Sequence, residues 1–270
     1  MSEICVITGG GSGMGLAAAK YMPKDKVIVV SGRTMSKLER AVAEIEASGH
    51  KAYAHTCDTS DRNSVRELAE FCAGLGKITN VINAAGLSPA MAKQEQLIRV
   101  NALGTVYVNQ EFSKKMEAGS VILDVSSNSA YLLPKFLINE KQYKLALKDE
   151  DKFVQKMIKK SNLAKTDYNK AGFAYALSKN FVLWYARYSA KEYGKRGIRV
   201  LSLSPGLIAT DMGNLESDNA GDMVSQTAEK RMGKPEELGY AIATAVDERN
   251  GYLAGVDILC DGGATTLKKL

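Results

Sequence analysis

TGGGSGMG, residues 8–15, comes directly after an apolar run, ICVIT (4–8), and directly before a helical pattern that continues to about Tyr21. Gly9, Gly13 and Gly15 have the spacing Gly-x-x-x-Gly-x-Gly. A strand that turns into a helix through glycines leaves backbone N–H groups uncovered, and the helix N-terminus adds partial positive charge. Such a turn accepts a pyrophosphate. A glycine run alone is a weak signal; its place between strand and helix makes it a specific one.

Outward from this turn the chain keeps alternating. KVIVVS (26–31) is β-rich, a helix pattern covers 35–48, and KAYAHT (51–56) reads as a strand. A helix over 61–75 leads to NVINAAG (80–86), and a long helix over about 93–117 leads to SVILDVSS (120–127). A second series begins near 173 with a long helix pattern, FAYALSKNFVLWYARYSAKEYGK, then IRVLSLSPG (198–206). Near-continuous apolar strands separated by helices predict a parallel sheet buried on both faces. The series predicts a doubly wound α/β (Rossmann) fold, one domain over residues 1–270. The exception is a basic helical insertion at about 130–172. Within it FVQKMIKK places Phe153, Val154, Met157 and Ile158 along one helix side. That stripe fits an amphipathic flap over an apolar site, and equally a surface helical hairpin with a solvated lysine face.

The bulk composition, 45% hydrophobic and 24% charged over 270 residues, is that of a soluble globular protein. Ten lysines and five acids fall in 135–170, so five of the six net positive charges sit in that one segment. A nucleic-acid binder is more often basic throughout, and none is expected as a partner. Cys5, Cys57, Cys72 and Cys260 form no Cys-x-x-Cys pair, which speaks against structural zinc and a disulfide framework. His50 and His55 read as surface or strand-edge residues rather than metal ligands. MSEICVIT shows no secretory n- and h-region, and no apolar run has the length of a membrane span. A cytoplasmic protein with no membrane contact is expected.

The end of the second strand selects the dinucleotide. A carboxylate there would accept a hydrogen bond from a ribose 2′-hydroxyl and favour NAD. The sequence instead has Ser31, Gly32, Arg33 and Thr34. Arg33 can meet a 2′-phosphate with a charge-assisted fork, so NADP(H) is favoured over NAD(H). Ser12, before Gly13, stands where a second basic residue would have strengthened that preference.

At this point the chain resembles the short-chain dehydrogenase/reductase family, single-domain type, over almost its whole length. TGGGSGMG, with Gly9, Ser12, Gly13, Met14 and Gly15, matches the cofactor motif; CDTSD places Asp58 and Thr59 at the adenine. NAAG (83–86), with Asn83, Ala84 and Gly86, matches the family's strand motif, Ala84 replacing a second Asn. Asn101 in RVNALG matches the helix asparagine, and Ser127 ending DVSS the catalytic serine. Tyr175 and Lys179 match Tyr-x-x-x-Lys. SPGLIATDM (204–212), with Pro205, Gly206, Ile208 and Thr210, resembles the segment beside the nicotinamide carboxamide; RMGKPEEL and DGG (261–263) resemble the C-terminal pattern.

A second Tyr-x-x-x-Lys, YLLPK (131–135), competes with YALSK (175–179). The chemistry needs the two side chains on one face of a rigid helix. Pro134 disfavours helix there, whereas YALSK lies inside an uninterrupted helical pattern. The expected catalytic set is therefore Asn101, Ser127, Tyr175 and Lys179. Ser126 and Ser129 are the local rivals of Ser127; strand alternation turns Ser126 to the opposite face. Ser127 and Tyr175 are 48 positions apart, an unusually long interval for the family. The excess is the basic insertion, expected to loop out near the substrate mouth. It directly precedes a helix that commonly forms a dimer face, which bears on the expected homodimer or homotetramer.

The resemblance implies interconversion of a ketone and a secondary alcohol. Tyr175 would exchange a proton with the substrate oxygen, Ser127 would hydrogen-bond it, Lys179 would assist the tyrosine and hold the nicotinamide ribose, and Asn101 would position a relaying water. Residues 207–230, with Met212 and Met223, read as a lid. The expected small-molecule substrate is hydrophobic: a steroid or bile acid with its anion near the lysines, or a small-ketone or acyl-chain carbonyl. Two other readings are a dinucleotide-sensing regulator without turnover and an interaction protein that docks an acidic partner on the basic segment.

Overall fold

The computed structural model describes residues 2–215 and 224–267. Seven strands form its sheet: β1 (Glu3–Thr8), β2 (Val27–Gly32), β3 (Lys51–Thr56), β4 (Lys77–Asn83), β5 (Val121–Val125), β6 (Arg199–Pro205) and β7 (Asp257–Cys260). They lie in the order β3-β2-β1-β4-β5-β6-β7, every neighbouring pair parallel. The helices are α1 (Gly13–Tyr21), α2 (Met35–Ala47), α3 (Arg62–Leu75), α4 (Gln94–Ile98), α5 (Gly104–Ser113), α6 (Glu140–Tyr143), α7 (Glu150–Ser161), α8 (Asp167–Tyr193), α9 (Asp211–Asn214), α10 (Pro235–Ala245) and α11 (Ala264–Leu267).

Strand alternation builds two cores. Val6, Val29, Val81, Ile122 and Val200 face α3, α5 and α8 through Leu68, Phe112 and Phe181. Ile7, Ile28, Val30, Leu123 and Leu201 face α1, α2 and α10 through Ala18, Leu38 and Ile242. Each such fully buried aliphatic side chain contributes about 1.5–3 kcal/mol. The doubly wound sheet read from the sequence is the sheet observed.

Two helix boundaries differ from the sequence reading. The long helix expected over 93–117 is interrupted by a π turn, Arg99–Leu103, between α4 and α5. The helix expected from 173 begins at Asp167, because Thr166 Oγ1 accepts from the Asn169 N–H at 3.2 Å and caps it. His50, read as a surface or strand-edge residue, directly precedes β3 and is 5% exposed, with Nε2 2.8 Å from the Met22 carbonyl oxygen.

The insertion is packed, and what it covers is α8. Phe153, Val154 and Met157 of α7 are buried with Tyr143 of α6. The ring centre of Phe181 lies 5.0 Å from that of Phe153 and 5.4 Å from that of Tyr143. Tyr143 donates its hydroxyl to Asn180 Oδ1 at 2.8 Å. Tyr107 of α5 donates to Glu150 of α7 at 2.5 Å. Arg62 bridges Glu111 and Glu150 at 3.1 and 3.2 Å, over the Tyr107 ring at 4.4 Å. The α7 stripe therefore covers the aromatic flank of α8 rather than an apolar substrate site, while Lys152, Lys156 and Lys159 point to solvent. The apolar stripe read from the sequence is thus the buried side of α7, and its lysines form the solvated side.

Candidate active site

The glycine turn between β1 and α1 is built for close approach. Gly9 (φ +69°) and Gly13 (φ +56°) sit in the left-handed region. A Cβ on Gly9 would stand 2.8 Å from the Ala84 carbonyl and the Ala85 nitrogen, and one on Gly15 2.6 Å from the Gly9 oxygen. Ser12 starts α1 without a side-chain cap, so its hydroxyl does not cover the first-turn N–H groups. Met14, beside it, is half-buried against the α1–α10 core. Thr210 comes over the turn: a Gly13 Cβ would be 3.2 Å from its Cγ2. Pro205 ends β6, and the loop after it, carrying Gly206, Ile208 and Thr210, thus leans on the cradle through Thr210. Of the expected lid, 216–223, including Met223, lie outside the described residues; Met212 is half-buried.

Beside the turn a cavity of about 150 Å³ is lined by Gly9, Ser31, Arg33, Asp58, Thr59 and Gly86 among others. The Ser31 hydroxyl is buried and has no hydrogen-bond partner. An orphaned hydroxyl in a cavity beside a glycine cradle fits the adenosine half of a dinucleotide. Arg33 is exposed at its edge. Asp58 Oδ1 accepts from the Ser60 N–H at 2.9 Å and its hydroxyl at 2.7 Å, which fixes the carboxylate.

The four expected catalytic residues come from α8, β5 and the π turn. Tyr175 and Lys179 lie one turn apart on α8, with the Lys179 ammonium 5.9 Å from the Tyr175 ring centre. Lys179 Nζ donates to the Val125 carbonyl at 2.9 Å, and Ser126 Oγ donates to the Lys179 carbonyl at 2.8 Å. These bonds stitch the end of β5 to α8 immediately before Ser127. Ser127 Oγ accepts from the Ser129 N–H at 3.2 Å and from its hydroxyl at 3.0 Å, so its own proton is directed elsewhere. Asn101 sits in the π turn, a distortion frequent at functional sites. Its amide clamps Leu87, accepting from the N–H at 2.8 Å and donating to the carbonyl at 3.0 Å. Asn101 and Lys179 meet at Gly86: a Cβ there would be 3.2 Å from Asn101 Oδ1 and 3.4 Å from Lys179 Nζ.

YLLPK is arranged differently. Tyr131 ends a 3-10 turn and donates to Asp257 at 2.6 Å. Burial and the Asp257 carboxylate push its phenol above the ordinary range, the wrong direction for a proton-exchanging tyrosine. Lys135 lies on a separate short turn.

Beneath the site runs a polar row that sequence reasoning passed over. The strand register places His55, Ser31, Thr8, Asn83, Asp124, Ser202 and Asp257 side by side across all seven strands. Thr8 donates to Asn83 Oδ1 at 2.7 Å, and Ser202 donates to Asp257 at 2.6 Å. Asn83, expected at the cofactor, is 4% exposed, and its Nδ2 donates to Thr105 and Asp124, both at 3.3 Å. Asp124 is fully buried and also accepts from Asn109 at 2.7 Å. Burial raises Asp124 to about 7, against the amide bonds and Lys179. Burial lowers Lys179 to about 8, against the pull of Asp124. The available signal was a carboxylate inside the otherwise apolar SVILDV.

Cys5, Cys57 and Cys72 are buried and burial raises all three thiols, so none is a nucleophile. Among the described residues no group of ligands is arranged for a metal, and no helix is long and apolar enough to cross a membrane.

The family model described as short chain dehydrogenase matches residues 3–137, and one described as enoyl-(acyl carrier protein) reductase matches 148–265. The chain is 27% identical to short-chain dehydrogenase/reductase bsc3 of Alternaria brassicicola, over 98% of this chain and 96% of that protein. It is 27% identical to carbonyl reductase family member 4 of Xenopus laevis, over 97% and 98% of the two chains. A short chain dehydrogenase from Burkholderia cenocepacia J2315, solved in complex with NADP, shares the fold with a TM-score of 0.78 at 22% identity, over 98% and 99% of the two chains. The chain belongs to the short-chain dehydrogenase/reductase family and is an NAD(P)-dependent oxidoreductase.

Proposed function

We propose that the chain interconverts a hydrophobic ketone and its secondary alcohol, with NADP(H) preferred over NAD(H). The observation that carries this reading is the meeting of Asn101 and Lys179 at Gly86, with Tyr175 one turn away and Ser127 on the adjoining strand end. A bound nicotinamide supplies or accepts the hydride. The protein's part is the proton and the orientation. Ser127 donates a hydrogen bond to the substrate oxygen, because its lone pairs are engaged by Ser129. Tyr175 gives that oxygen its proton in reduction and withdraws it in oxidation. Bringing a phenol from ~10 to ~7 takes about 4 kcal/mol of preferential anion stabilisation, and the Lys179 ammonium is a suitable source.

Arg33 and the absence of a carboxylate at 31–34 support the preference for a 2′-phosphate. Two relatives support an apolar carbonyl by name, carbonyl reductase family member 4 and, at 25% identity, cyclohexanol dehydrogenase of Acinetobacter, whereas a third, 26% identical, is named D-threitol dehydrogenase. Exposed Tyr131, Leu132 and Phe136, shortly after Ser127, give the substrate side apolar surface. We extend the substrate range to ring ketones of steroid size on that ground. The α7 lysines do not serve a remote substrate anion in this proposal, since α7 lies on the α8 flank.

The test is a titration with NADPH and NADH, followed by a panel of cyclic, steroid and open-chain ketones, repeated with Tyr175→Phe and Tyr131→Phe. NADPH-dependent turnover lost only in Tyr175→Phe is expected. Tight cofactor binding with no turnover on any ketone would overturn the enzymatic assignment in favour of a sensor.

A further inference from the structure

Lys179 is 5% exposed, and its ammonium donates to a neutral acceptor, the Val125 carbonyl at 2.9 Å. A buried ammonium without an opposite charge loses its proton. The groups around it are few. Asn101 of the π turn, a neutral amide, meets it at Gly86, while the amides of Asn83 on β4 and Asn109 on α5 are engaged with the Asp124 carboxylate. α8 carries five phenols, Tyr168, Tyr175, Tyr185, Tyr188 and Tyr193, and the Tyr175 ring centre is 5.9 Å from the ammonium. On β6, Ser202 leads to Asp257 of β7, but that carboxylate is engaged by Ser202 at 2.6 Å and Tyr131 at 2.6 Å. Asp124 precedes the very residue whose carbonyl holds Lys179. It is fully buried, and it is the carboxylate whose field acts on Lys179.

We propose that Asp124 is a positioning residue for the reaction: the buried counter-charge that holds Lys179 protonated beside Tyr175. This rests on the roles given to Tyr175 and Lys179 above. The surroundings of Asp124 are organised for an anion. Asn109 donates to Oδ2 at 2.7 Å and Asn83 to Oδ1 at 3.3 Å. The far side of the Asn109 amide, its Oδ1, is buried without a partner. That orientation serves an acceptor at 124; a donor there would turn the amide around. Two neutral donors favour the carboxylate without cancelling its charge, so the charge remains available to Lys179. Asn83 in turn is anchored by Thr8, whose hydroxyl also accepts from the Ala85 N–H at 3.2 Å. The glycine turn, the loop carrying Gly86 and the catalytic lysine thus share one polar support.

The experiment is a pH titration of protein labelled with 13C at the lysine Cε, for wild type and Asp124→Asn, with the Lys179 signal assigned by its loss in Lys179→Arg. Removing a buried negative charge makes each protonated neighbour lose its proton at lower pH. The Lys179 midpoint is expected to fall by about one pH unit or more. The alkaline limb of ketone reduction should move with it, so the rate at pH 9 relative to pH 7 falls about fivefold for a one-unit shift. An unmoved Lys179 midpoint overturns the proposal, as does an activity loss equal at every pH. Should wild type turn over no ketone, the proposed function fails while the lysine titration still decides this inference. If Asp124→Asn does not fold, Asn109→Ala removes the 2.7 Å bond that favours the carboxylate and must move the Lys179 midpoint in the same direction; no movement there overturns the proposal equally.

Discussion

Phe153→Ala separates a packed insertion from a substrate lid. Phe153 is fully buried, and its ring stands against Phe181 at 5.0 Å, which itself stacks on Tyr185 at 5.6 Å. Truncating such a phenylalanine removes its transfer energy and leaves a cavity, a loss of about 3–5 kcal/mol. For a chain of this size that is a fall in Tm of roughly 6–20 °C. Lys179 lies only two residues before Phe181 on α8, but it is fixed to the end of β5 by Val125 and Ser126, which holds its place when the far side of Phe181 is emptied. The kcat/KM of the protein that remains folded should therefore stay within about twofold of wild type, a change below 0.5 kcal/mol. Lys156→Ala, on the exposed side of α7, should change stability by less than about 0.5 kcal/mol. Thermal melts and steady-state kinetics on the same ketone decide the matter. A Phe153→Ala protein of near wild-type Tm whose KM rises tenfold would refute the reasoning and return the segment to the substrate path.

Gly9→Ala should nearly abolish cofactor binding in a fluorescence titration, because its Cβ meets backbone atoms at 2.8 Å in a left-handed conformation that alone costs about 1–2 kcal/mol. Gly13→Ala meets the Thr210 side chain at 3.2 Å and should lose less. Arg33→Ala should weaken NADPH by roughly tenfold or more and leave NADH within twofold, since about 1.5–3 kcal/mol is typical for a bond to a charged group. Asp124 has a folded-state pKa raised from 3.8 to about 7, so its ionisation opposes folding. The penalty begins as pH rises through the unfolded value and is complete above about 7; Asp124→Asn should raise stability at pH 8 by at most about 4 kcal/mol, seen as a higher Tm, and leave it unchanged at pH 3. Self-association through the α5–α8 flank is not expected, because α6 and α7 cover it. Any homodimer should use the free edge of β7 near exposed Tyr252 and Val256, and Val256→Lys should dissociate it in sedimentation velocity.

The parts of this protein written locally were legible in its sequence. ICVIT, KVIVVS and IRVLSLSPG are apolar on both faces, and only a sheet covered by helices on both sides satisfies them. The Tyr175–Lys179 spacing is a helical period, and Pro134 removes its competitor. The helix break at Asn101 was not legible, because RVNALG contains no residue that forbids a regular helix; the π turn coincides with the clamp on Leu87, a contact made in the folded chain. The role of the 130–172 stripe was open for the same reason. Phe153 and Met157 announce that a face is buried, but an amphipathic pattern does not say against what.

The polar row is the extreme case of that limit. Each member taken alone is unremarkable: a threonine ending a strand, an asparagine, an aspartate in an apolar run, a serine. Their alignment depends on the register of strands far apart in the chain, which pairs Thr8 with Asn83 and Asn83 with Asp124. A fully buried carboxylate is costly, and replacing it by an apolar residue of similar volume would ordinarily stabilise a core. Its retention beneath Lys179, with two amides oriented to it, makes sense if the cost is offset in function. Stability and catalysis then make opposite demands on one residue. Asp124→Asn should produce a protein that melts higher at pH 8 and works worse at pH 9, and a variant that gained on both counts would show that the carboxylate serves neither Lys179 nor the reaction.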